Sequence, residues 1–139
     1  VYDNLVHACT NHGDLRGAVQ VLERMQRQRV RPDARTYGLL LRASADAGDF
    51  AAAAGFLRLA HGVRGAPLPQ SLARLTPGSD MQIKGGLPSD LLSEVLHGMA
   101  GRGGEERLAV QLCKELRAVP GVRLDPKLSM NIASRAIRN

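Results

Sequence analysis

Aromatic side chains are nearly missing from this 139-residue chain: Tyr2, Tyr37, Phe50 and Phe56 make up 3% of it, and there is no tryptophan. A domain that reads single strands by stacking bases on an aromatic sheet surface needs more of them, so that class is excluded. Two cysteines, Cys9 and Cys113, are too few for a disulfide framework and read as small apolar residues of a reducing compartment. No apolar run approaches the roughly 18 to 20 residues that cross a bilayer, which argues against a membrane partner. No charged-then-apolar leader opens the chain. Val1-Tyr2 reads as mid-helix, so the sequence is expected to be a piece of a longer protein.

Catalytic and metal motifs are equally scarce. There is no nucleophile motif, no phosphate loop and no deaminase pairing of H-x-E with C-x-x-C. Gly101-Arg102-Gly103-Gly104 is glycine-rich but follows a helical stretch rather than a strand, and reads as a turn between helices. His7, Cys9 and His12 lie close together, yet structural zinc needs about four ligands, no second cluster is nearby, and Cys9 sits on an apolar stripe. His61 and His97 are isolated and are expected on helix surfaces. The expectation is a protein with no catalytic residue, metal, cofactor or small-molecule substrate.

What the chain does have is a folded composition and an excess of positive charge. It is 44% hydrophobic and 23% charged with a mean hydropathy of −0.16, the profile of an ordinary globular chain. Nineteen Lys and Arg against 13 Asp and Glu give a formal charge of +6, which suits a polyanionic partner.

It also repeats itself. At an offset of 35 residues Tyr2 falls on Tyr37, Leu5 on Leu40, Ala8 on Ala43, Gly13-Asp14 on Gly48-Asp49, Ala18 on Ala53 and Leu22 on Leu57. Each unit reads as two helices. Tyr2, Leu5, Val6 and Cys9 form one face of a first helix. Gly13 suits a left-handed helix end, and Asp14 can cap the next helix, which is lined by Leu15, Ala18, Val19, Leu22 and Met25. Ala18 and Ala53 fit a close approach of antiparallel helices. Val30-Arg31-Pro32-Asp33 closes the unit, because the residue before a proline is biased away from helix.

A third copy is displaced to an offset of 56, with Leu96, Gly104, Ala109, Leu112 and Leu116 in register. The intervening stretch carries Gly65, Pro67, Pro69, Pro77, Gly78, Gly85, Gly86 and Pro88. Breakers this dense predict a loop, with at most a short helical turn over 70–75. The expected organisation is repeats at 1–33 and 34–61, an insertion loop at 62–89, a degenerate repeat at 90–125, and the first helix of a following repeat at 126–139. Such hairpins cannot each bury their own apolar face. The fold class is therefore all-α, a right-handed α-α superhelix of tandem hairpins whose concave surface is lined by the first helices.

The stretch from Val1-Tyr2-Asp3-Asn4-Leu5 through Gly13-Asp14-Leu15 to Val30-Arg31-Pro32-Asp33 resembles one pentatricopeptide repeat. Thr36-Tyr37-Gly38-Leu39-Leu40 through Ala47-Gly48-Asp49-Phe50 resembles the next. The related tetratricopeptide pattern, with a period of about 34 and a Trp signature, does not fit a Trp-free chain. The resemblance implies an organellar protein, of mitochondria or plastids, that binds single-stranded RNA one base per repeat. It further implies that the base is chosen by the residue after the Tyr position together with the last residue of the unit. Those positions are Asp3 with Asp33, Gly38, and Glu94 with Asp125; Met130 follows in the next helix. The family usually has Asn, Thr or Ser at the first-helix position, groups that both donate and accept. Asp3 and Glu94 only accept, Gly38 offers nothing, and Arg35 stands where an apolar side chain normally sandwiches the base. That pattern implies a grip on RNA with little base reading, as in the family's structural subunits of organellar ribosomes and other ribonucleoproteins.

Arg24, Arg27, Arg29, Arg31 and Arg35 crowd the end of the first unit, with Arg42 on the next helix. Arginine matches phosphate with paired hydrogen bonds, so these six are candidate phosphate contacts; the alternative is a solvated helix end favoured by the helix dipole. Arg117, Arg123, Lys127, Arg135 and Arg138 are more dispersed and read as plain surface. Two functions follow. One is an RNA-binding subunit in RNA metabolism or translation, with rRNA or mRNA and neighbouring proteins of a large complex as partners. The other is a protein–protein scaffold that never touches RNA.

Overall fold

The computed structural model describes residues 2–63, 68–75, 81–83, 86–101, 105–119, 122, 124 and 126–138. Among them the chain forms α1 (Tyr2–Asn11), α2 (Leu15–Arg27), α3 (Ala34–Asp46), α4 (Phe50–His61), α5 (Ser89–Gly101), α6 (Glu106–Arg117) and α7 (Pro126–Arg138). A short 3-10 turn, Gln70–Leu72, lies between α4 and α5, and no strand occurs among the described residues.

The repeated Gly-Asp pair sets the two hairpin turns. Gly13 and Gly48 take φ of 69° and 74°, the left-handed conformation that ends a helix and that only glycine adopts freely. The next amide turns back onto the helix it has left, Asp14 N–H to the Cys9 carbonyl at 2.8 Å and Asp49 N–H to the Ser44 carbonyl at 2.9 Å. The same aspartates then start the following helices. Asp14 Oδ1 accepts from Gly17 N–H at 2.9 Å, and Asp49 Oδ1 from Ala52 N–H at 3.1 Å. Two adjacent residues thus stop one helix and begin its antiparallel neighbour.

α1 packs on α2, α3 on α4, and α5 on α6, while α1, α3, α5 and α7 stack in that order as one layer. The residues in repeat register form the core. Val6, Ala18, Leu22, Leu40, Leu41, Ala53, Leu57, Leu96, Ala109, Leu112 and Leu116 are all fully buried. Ala18 and Ala53 sit at the α1–α2 and α3–α4 levels with no exposed surface, consistent with close helix approach. This is a helical-repeat solenoid. Leu5 departs from the pattern, at 41% exposed where its counterpart Leu40 is buried. The reason is position in the stack: among the described residues α3 has layer neighbours on both sides, α1 and α5, whereas α1 packs in the layer against α3.

The stretch expected to be loop contributes to the core. Leu72, Leu75, Met81 and Leu87 are buried, and the 3-10 turn packs on both α2 and α4. Gly55 of α4 makes this possible: a Cβ there would lie 2.5 Å from Leu72 Cδ1 and 3.2 Å from Pro69 Cδ. The sequence did carry a signal, since α4 reads FAAAAGFLRLAH and has almost no polar face. A helix apolar all round must be covered all round. Backbone groups are tied as well. Tyr37 OH donates to the Met81 carbonyl, and Ile83 N–H donates to the Ala60 carbonyl at 2.8 Å. On the α6 side, Arg58 Nε meets Glu115 Oε2 at 3.2 Å with both side chains mostly shielded.

His61 is the main correction to the sequence reading: expected on the surface, it is buried at the end of α4. Its Nδ1 lies 2.8 Å from the Leu57 carbonyl, which can only accept, and its Nε2 accepts from Leu87 N–H at 3.2 Å. These two bonds select the neutral ring with the proton on Nδ1. Burial pushes its pKa below the ordinary histidine value, although the Leu57 carbonyl pulls the other way. The unfolded chain therefore takes up the proton first as pH falls. Stability should be complete above about pH 6.5 and decline below it, a limb that denaturant titration across pH should show and that His61→Gln should lack.

Candidate nucleic-acid interface

A groove of about 500 Å3 runs along the first-helix layer, where α1, α3 and the start of α5 meet. Ala34, Gly38, Leu39 and Leu91 make its apolar surface, and His7, Arg35, Arg42, Asp90 and Pro88 complete the lining. Three of the residues singled out from sequence, Gly38, Arg35 and Arg42, are therefore brought together here. Gly38 is buried, and a Cβ on it would touch only Leu91 Cδ2, at an ordinary 3.7 Å. Crowding does not demand the glycine, and its lack of a side chain opens the groove.

Arg24 and Arg27 occupy the last turn of α2, Arg29 and Arg31 the link to α3, and Arg35 the first turn of α3; all are exposed. Arg29 stands out, with φ of 58°, in the left-handed conformation that Gly13 and Gly48 hold in the other turns. Its N–H donates to the Gln26 carbonyl at 3.1 Å and that of Val30 to Met25 at 2.8 Å, the helix-ending geometry that favours glycine. A side chain there costs about 1 kcal/mol. Arg29→Gly should raise stability by roughly 0.5–1 kcal/mol in denaturant titration.

Two of the remaining positions, Asp33 and Glu94, are engaged within the fold. Asp33 caps α3: its Oδ1 accepts from Thr36 N–H and from Thr36 Oγ1, each at 2.8 Å. Glu94, exposed on α5, has its Oε2 3.4 Å from Arg42 Nε. Met130 on α7 is 69% exposed. The Asp3 side chain and Asp125 lie outside the described residues, as do Arg102–Gly104 of the glycine-rich turn and Arg123 of the dispersed basic group. Among the described residues no group of three or more His, Cys, Asp and Glu could hold a metal, and no helix is long and apolar enough to cross a membrane. Cys9 is half-buried against the core and Cys113 is buried.

Sequence reasoning missed the Arg42–Glu94 pair, which joins residues 52 apart in the chain, and the strained backbone at Arg29. The second had a visible cue, because a glycine follows the first helix of each of the first two units, whereas Gln28-Arg29 follows α2.

Neither a curated protein nor a solved structure matches the chain. The model of the PPR repeat family matches residues 1–46, which span α1, α2 and α3. With the Gly-Asp hairpin turns and the stacked first helices described above, that match identifies the N-terminal stretch as pentatricopeptide repeat.

Proposed function

We propose that this chain is a non-catalytic RNA-binding segment of an organellar pentatricopeptide repeat protein, with repeats at 1–33, 34–61 and 90–125. Proteins of this repeat family are typically organellar and act in RNA metabolism. The observation that carries the reading is the run of exposed arginines from Arg24 to Arg35 where α2 leads into α3, with Arg35 and Arg42 lining a groove that has an apolar floor. Arginine forks suit phosphate, and the apolar floor suits the flat faces of bases.

The residues at the would-be reading positions favour grip over base choice. Gly38 has no hydrogen-bonding group, and Asp33 and Glu94 are already engaged within the fold. A protein that holds RNA without choosing its bases fits service inside a mitochondrial ribosome, a plastid ribosome or a comparable ribonucleoprotein. Partners there would be rRNA or mRNA together with neighbouring proteins. The test is a filter-binding titration of single-stranded RNA against salt. Binding should weaken linearly in log salt, with a slope near −0.7 for each phosphate engaged. Absence of binding at low salt by a normally helical protein overturns the reading.

A further inference from the structure

The groove between α3 and α5 has walls of opposite charge. α3 contributes Arg35 and Arg42, two turns apart. α5 contributes Asp90, and one turn later Glu94, whose carboxylate reaches across to Arg42 at 3.4 Å. Both members of that pair are well exposed, at 63% and 59% of their side-chain surface. An exposed single contact of this length is screened by solvent and opens at little cost.

A guanidinium presents the same donors to a carboxylate and to a phosphate, so the two anions compete for it. We infer that Glu94 is a resident competitor for the phosphate site at Arg42. RNA engages Arg42 only by displacing the Glu94 carboxylate, and the displaced carboxylate then lies close to the incoming phosphate. Both effects weaken any polyanion held by charge alone. A ligand that also fills the apolar floor over Gly38 and Leu91 suffers the same penalty but has contacts that offset it. Glu94 thus acts as a threshold: it lowers the affinity of both ligands alike, so that charge alone no longer suffices to hold a polyanion at Arg42. This inference rests on the RNA reading of the groove, and it assigns Glu94 a role other than base reading.

The test uses poly(U) as the probe, with fluorescence anisotropy followed against potassium chloride. Glu94→Gln keeps the side chain's shape and removes its charge; Arg42→Gln and the double variant complete the cycle, with helicity checked by circular dichroism. Glu94→Gln should bind about two- to fivefold tighter at low salt, with a salt slope steeper by about 0.7. That gain should vanish in the Arg42→Gln background. Equal affinity and slope for wild type and Glu94→Gln overturn this inference alone. So does a gain that survives Arg42→Gln undiminished, which would mark a general charge effect. Failure of both wild type and Glu94→Gln to bind at low salt overturns the RNA reading and this inference with it.

Discussion

Replacing Arg27, Arg29, Arg31 and Arg35 together by glutamine is expected to cut RNA affinity by up to about three orders of magnitude near 0.1 M salt. Each phosphate engaged on a single strand adds about 0.7 to the slope of log affinity against log salt, and about the same in decades of affinity at that concentration. If all four arginines grip phosphate, the slope should flatten by about 3; if only two do, by about 1.4. The readout is a slope, so it separates a grip on phosphate from general damage to the protein. All four side chains are exposed, and none of them forms an ion pair among the described residues. The fold should persist, with unchanged helicity. An unchanged slope with intact helicity would assign these arginines to plain solvated surface.

Leu72→Ala is expected to destabilise the protein by about 2–4 kcal/mol, measured by urea titration. Leu72 is fully buried against α4, and its removal leaves a cavity beside Gly55, which has no side chain to fill the space. Against a total stability of roughly 5–15 kcal/mol this is a large fraction. If residues 68–75 were a loosely attached loop, the same change would cost within about 0.5 kcal/mol. The size of the effect therefore decides whether the insertion belongs to the solenoid core.

The contrast between α2 and α4 shows how far the sequence could be read. α2 alternates apolar with charged residues at helical spacing, so its buried face, Ala18, Val19, Leu22 and Met25, was legible from spacing alone. The Gly-Asp turns were legible for a similar reason, because both residues act on backbone within a few positions of themselves. α4 was half legible. Its inward face, Phe50, Ala53, Ala54 and Leu57, follows the repeat, but the cover on its other side comes from residues 68–75, whose proline and glycine surroundings read as loop. Breakers report that a segment cannot continue a helix; they say nothing about whether it packs.

The groove divides in the same way. Gly38, Arg35 and Arg42 could be singled out along the chain, and the exposure of the arginines follows from their charge. That Glu94 sits on Arg42, that Asp33 is engaged as a helix cap, and that His61 is sealed beneath Leu87 required the fold. The sequence by itself determined the brick: two amphipathic helices joined by Gly-Asp, recurring once at an offset of 35 residues, with arginines at the end of the first copy. Those are local properties, encoded in spacing and in single-residue backbone preference. Only the tertiary structure decided which charges face each other and which histidine loses its water. Those outcomes depend on residues far apart in the chain meeting in space, for which periodicity carries no information.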